Sequence, residues 1–273
     1  MKSIKFITLS LIPILASFLS VFLVTDIPFN SLVIGFIFLT ISLFIPGLFV
    51  GYNLLPKNFQ NSEKFVLGIT IVSSIALLIY PIFAKIGLGK FTWLLILVFS
   101  LIIYFSFRKK FSFSVNNNFI YFLILLPFSI WVGRQANVVP ISNFDQFSIP
   151  PDIYHHLSLA SEIGNHGPEI FPYVAGSLVP LQYHWGAFSL GSFLNAAGLI
   201  SLPVAMYRIE FILLSFLLLF LLFFTGKYLG KSVTAGIVSA TLGLLTLYPS
   251  FNVVRSEEHT SELQSRLHLV CRL

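Results

Sequence analysis

Between Arg134 and His184 the chain gathers the side chains that could do chemistry. His155, His156, His166 and His184 lie in this interval together with Asp145, Asp152, Glu162 and Glu169. Elsewhere up to Val254 there is no histidine, and the acids are Asp26, Glu63 and Glu210. The centre reads Pro150-Pro151-Asp152-Ile153-Tyr154-His155-His156. The paired prolines stop any preceding helix, and Asp152 then takes an N-cap position. Ile153, Leu157, Leu159, Ala160 and Ile163 predict a short amphipathic helix lying along the membrane surface and ending at Gly164 or Gly167. On it Asp152, His155 and His156 fall at i, i+3 and i+4, with Tyr154 between them. A carboxylate and two imidazoles at a helix N-terminus suit a proton acceptor and a place for an anionic group. Each also has a plainer reading. Asp152 as a cap alone contributes about 1 kcal/mol, and the histidines suit an interface. A divalent metal on Asp152, His155, His156 or His184 is conceivable, although no metal-motif spacing is present. Asp145, in Asn143-Phe144-Asp145-Gln146, is a second candidate acid. Glu162 and Glu169 read as solvated faces. Tyr183-His184-Trp185 stands where the loop returns to the membrane, a place for aromatic-belt residues.

The rest of the chain must position this loop, and its composition says how. Of 273 residues 56% are hydrophobic and 10% charged, with 31 Phe and a mean hydropathy of +0.91. A soluble domain is roughly a quarter charged, so a soluble enzyme, a disordered chain and a disulfide scaffold are excluded. The net charge of +6 sits mostly in short loops, which points to membrane topology rather than to nucleic acid. The expected class is an all-α polytopic bundle of about eight spans, near 6–24, 31–52, 66–84, 91–107, 118–133, 185–200, 207–225 and 232–249. It divides into five helices over 1–133, an outer loop with the surface helix and the site over 134–184, and three helices over 185–254. Lys2, Lys5, Lys57, Lys64, Arg108, Lys109, Lys110 and Arg208 then lie inside, against Lys85, Lys90, Arg134, Lys227 and Lys231 outside, which favours an internal N-terminus. Lys227 and Lys231 dissent, and would fit if the sixth span were re-entrant.

Arg255 to Leu273, RSEEHTSELQSRLHLVCRL, breaks from this pattern. It resembles an in-frame translation of a sequencing adapter and is set aside from the fold as a non-native tail. On that reading Cys271, the single cysteine, belongs to the tail, and the chain is an N-terminal fragment reaching about Val254.

The run Asp152-Ile-Tyr-His-His, then Ser161-Glu-Ile-Gly-Asn-His-Gly-Pro168, then Gly176-Ser-Leu-Val-Pro-Leu-Gln-Tyr-His-Trp-Gly186 resembles the first catalytic loop of GT-C-type membrane glycosyltransferases. Met206-Tyr-Arg208 and Gly226-Lys-Tyr-Leu-Gly-Lys231 resemble the next two turns, so the likeness covers about 145–250. It implies transfer from a polyprenyl-phosphate sugar donor to a glycan or lipid acceptor on the outer face of the cytoplasmic membrane. Asp152 would be the base, His155 and His156 would hold the donor phosphate or orient the base, and His184 would line the pocket. Two other classes stand beside it: a transporter, flippase or polymerase subunit for envelope polymers, with ionisable groups inside the spans, and a membrane protein without catalysis.

Overall fold

The computed structural model describes residues 29–107, 151–167 and 185–247, and every element among them is helical. Seven helices follow in order. They are α1 (Phe29–Leu54), α2 (Asn61–Lys85), α3 (Gly89–Phe107), α4 (Pro151–His166), α5 (Trp185–Asn195), α6 (Leu202–Leu229) and α7 (Val233–Leu247). Two compact units are formed, one up to Leu217 and one from Leu218, with the border inside α6.

Four helices are long and apolar enough to cross a bilayer: α1, α2, α3 and α6, of 26, 25, 19 and 28 residues. The protein is a multi-pass membrane helical bundle. Among the described residues the eight expected spans are not all present. The span expected over 185–200 is the helix Trp185–Asn195, eleven residues or about 16 Å, too short for a core of about 30 Å. The span expected over 232–249 is the fifteen-residue α7. The spans expected near 6–24 and 118–133 lie outside the described residues, as does the tail 255–273. The described helices are a genuinely folded, packed protein rather than a translated artefact.

Proline and glycine decide how the spans meet. Pro46 has no N–H for the carbonyl four residues earlier, and the turn before it, Thr40–Phe44, widens into a π-helix closed by the Ile45 amide on the Thr40 carbonyl. One turn on, Gly47 and Gly51 form a small-xxx-small pair. A Cβ on Gly51 would run into the Lys64 carbonyl, and one on Gly68 into the Gly47 carbonyl. So α1 and α2 touch backbone to backbone, antiparallel. The start of α2 is set by a capping box, with the Gln60 amide donating to Glu63 Oε2 at 2.8 Å. Helix α3 runs parallel to α1, with Trp93 edge-on to Phe38 and Tyr104 stacked on Phe49 at 4.9 Å.

In the second unit the end of α6 packs on α7 through small residues. A Cβ on Gly226 would meet Ser239 and Ala235, and one on Gly230 would meet Ala235.

The α1–α2 approach leaves no room for a side chain. Gly51→Val should cost at the upper end of the roughly 1–3 kcal/mol of overpacking, because the obstacle is backbone. Reversible unfolding in bicelles measures it. Stability within 0.5 kcal/mol of wild type would mean that the helices do not meet at Gly51.

Candidate functional site

Pro81 lies inside α2 and cannot donate to the carbonyl of Leu77, four residues earlier. In the apolar interior a freed carbonyl must find another donor. It finds Ser189 of α5, whose Oγ donates to the Leu77 carbonyl at 2.9 Å. Above this bond Phe193 meets Tyr80 with ring centroids 6.0 Å apart. Helix α5 therefore runs alongside the last two turns of α2, in the same direction.

Helix α4 lies on α5 by the same device. Ser192 Oγ reaches the Ala160 carbonyl at 2.5 Å and the Phe188 carbonyl at 2.7 Å, sharing its single proton between them. One turn earlier the His156 ring sits 5.2 Å from that of Phe188. Leu159, Ala160 and Ile163 are fully buried, while Ser161 and Asn165 on the other side are exposed. The helix ends at His166, and Gly167 follows in the left-handed conformation at φ +76°. A Cβ there would stand 2.8 Å from the Pro81 carbonyl, so Gly167 serves both the turn and the approach to α2.

These contacts give the direction of α4 relative to its neighbours. His156 pairs with Phe188 and Ala160 with Ser192, so α4 is parallel to α5. The start of α6 returns alongside both. Tyr207 Oη lies 3.4 Å from His156 Nδ1, and a Cβ on Gly191 would meet Met206 and Glu210 Oε2. The apolar face of α4 packs against other helices, which hydrophobic periodicity alone does not distinguish from packing on lipid.

The first turn of α4 contains Asp152, Tyr154 and His155, described by their backbone only. It continues the axis beyond His156, away from Gly167 and toward the middle of the bundle. Asp145 and His184 lie outside the described residues. Of the residues singled out from sequence, His156 alone has a described side chain, and it meets Phe188 and Tyr207. Among the described residues no three His, Cys, Asp or Glu converge as a metal site.

Sequence reasoning missed Ser189, Ser192 and Tyr207. Pro81 was the available signal: a proline within a span asks which donor serves the carbonyl four residues back. Arg208 and Glu210 are 1% and 5% exposed within α6, on a π-helical stretch, Ala205–Glu210, that opens the helix. The Arg208 guanidinium donates to the Tyr207 carbonyl at 3.1 Å.

No protein-family model, no curated protein and no solved structure matches the chain. The family membership expected from the motifs of 145–250 is thereby corrected. Those motifs are short, and a proline before an acid, a Gly-x-Pro turn and a Tyr-His-Trp run also follow from helix capping and membrane-edge chemistry.

The bond between α5 and α2 is open to a thermodynamic cycle. Ser189→Ala should destabilise by about 0.6–2 kcal/mol, and by clearly less in a Pro81→Ala background, where α2 supplies its own N–H. Equal losses in the two backgrounds, read from unfolding in bicelles, would show that Ser189 does not serve the Leu77 carbonyl.

Proposed function

We propose that this multi-pass protein is a membrane glycosyltransferase. It would move a sugar from a polyprenyl-phosphate donor to a glycan or lipid acceptor on the outer side of the cytoplasmic membrane. The observation that carries the reading is the position of α4: its first turn, with Asp152 and the two histidines, is directed into the bundle by a face packed on α5 and α2. A base held there meets a lipid-linked donor arriving through the bilayer without exposing the intermediate charge to bulk water. An apolar groove of about 470 Å³ between α1, α2 and α3, lined by Val50, Val72, Ile79, Phe83, Ile96 and Phe99, suits a lipid chain.

In the proposed step the acceptor hydroxyl oxygen attacks the anomeric carbon of the donor. The new C–O bond forms as the bond to the phosphate oxygen breaks, and polyprenyl phosphate leaves with that electron pair. The hydroxyl proton passes to the Asp152 carboxylate. His155 and His156 would steady the phosphate or the base, with Tyr154 and His184 lining the site and Asp145 as the rival acid.

The proposed topology keeps the N-terminus inside. Gly167 beside Lys85 supports putting α4 on the side of Lys85 and Lys90. With α5 too short to cross, α6 starts on that same side.

Asp152, expected as the N-cap, stands inside the first turn of α4, which begins at Pro151; Asp152→Asn keeps the side-chain shape and removes the carboxylate. Labelled sugar transfer from a polyprenyl-phosphate hexose should fall roughly 10²–10⁴-fold while the protein still inserts. Asp145→Asn should leave most activity. Undiminished transfer by the Asp152→Asn protein would remove the base, and a loss confined to Asp145→Asn would reassign it.

A second reading has its own observation. Arg208 and Glu210 are buried within a spanning helix, where ionisable groups mark ion and substrate pathways. If the protein is a transporter or flippase, Glu210→Gln should abolish movement of a fluorescent polyprenyl-phosphate lipid between leaflets, and Asp152→Asn should not. The enzyme reading expects no such movement in either protein.

A further inference from the structure

A second cavity lies at the other end of α4. It occupies about 440 Å³ between the C-terminal ends of α2, α4 and α5, within the usual range of small-molecule sites. We propose that this cleft is a saccharide subsite, holding a neutral, hydroxyl-rich part of the acceptor at the membrane edge. The proposal rests on the transferase reading above and names the ligand class of a part of the site that no motif marks.

Its polar lining is Tyr80, Lys90, Ser161, Asn165, Ser192 and Asn195. Ser161 and Asn165 stand one turn apart on the exposed face of α4. Asn195 is oriented by its Nδ2, which donates to the Ile200 carbonyl at 2.6 Å and leaves Oδ1 to accept. Hydroxyl and amide side chains both donate and accept, as sugar hydroxyls do. Among the described residues no carboxylate and no cation other than the exposed Lys90 lines the cleft. A phosphate would ask for several converging cations or a fork of N–H donors, and a lipid tail for an apolar wall.

The mouth is kept open by two turns. Gly87 closes α2 with φ +75°, its amide on the Ala84 carbonyl and the Leu88 amide on the Phe83 carbonyl. Gly198 turns the chain from α5 to α6 with φ +68°. No described residue lies within 4 Å of where either Cβ would stand, and both glycines line the cleft. Asp152 is nine residues before Ser161 on α4, roughly 14 Å along the axis. The cleft would therefore grip an acceptor away from the reacting hydroxyl, setting which glycan is extended.

The test uses the whole chain in nanodiscs and saturation-transfer NMR with methyl glycosides of glucose, galactose, mannose and N-acetylglucosamine, alongside inorganic phosphate. At least one glycoside should receive saturation. Ser161→Trp and Asn165→Trp, both at exposed positions, fill the cleft and should weaken that binding by at least about tenfold. Lys57→Gln, at an exposed position before the opposite end of α2, should bind as wild type. The proposal is overturned if no glycoside is saturated, if the filled variants bind unchanged, or if phosphate binds instead and depends on Lys90. Glycoside binding by a wild-type protein that transfers no sugar would sink the enzyme reading and leave the cleft standing. Loss of transfer in Asp152→Asn with no glycoside bound would do the reverse.

Discussion

The arrangement depends on one hydrogen bond, from Ser189 to the carbonyl that Pro81 leaves free at Leu77. In water such a carbonyl would be solvated and the proline would be a kink. In a bilayer it demands a donor from a neighbouring helix, and the helix that supplies it is too short to span. That fixes the depth of α5 along α2. Ser192, one turn further, then fixes α4 on α5 through the Ala160 carbonyl. Two serines thus decide where the first turn of α4, with its acid and histidines, is directed.

The same pairing accounts for the irregular helix that follows. The start of α6 must return beside α5 and also meet α4, and it does so on a π-helical stretch that brings Tyr207 to His156 and Glu210 to Gly191. Gly191 is needed because the Glu210 carboxylate and Met206 occupy the space a Cβ would take. The polar groups of this region hold helices together and leave a cleft with a hydroxyl and amide lining at one end of α4. One short helix therefore joins that cleft to the turn of backbone that carries Asp152 and His155.

Much of the architecture was legible in the sequence. Long apolar runs mark α1, α2, α3 and the greater part of α6, and Pro-Pro-Asp with a terminal glycine marks α4. The failures have physical causes. The run 185–200 is apolar enough for a span, but Gly198 takes a left-handed turn and the helix stops at Asn195. The pattern of α4 leaves its packing open, because Leu159, Ala160 and Ile163 look the same whether they face lipid or Ser192 and its neighbours. Of the candidate site, the presence of Asp152, Tyr154, His155 and His156 on one helix could be read; the partners of His156, Phe188 and Tyr207, are 32 and 51 positions away in sequence, beyond any local pattern.

The central claim is that α4 stands parallel to α5 inside the bundle, and disulfide trapping tests it most directly. In a Cys271→Ser background, Gly164→Cys with Ser192→Cys should cross-link on mild oxidation, since a Cβ on Gly164 would stand 3.9 Å from the Ser192 Cβ and a disulfide needs Cβ atoms about 4 Å apart. Asn165→Cys with Phe188→Cys should not, because nine residues of helix, roughly 14 Å, separate position 165 from position 156, which packs on Phe188. Cross-linking of the 164–192 pair alone agrees with the account. Efficient cross-linking of the 165–188 pair, or of neither, would contradict it.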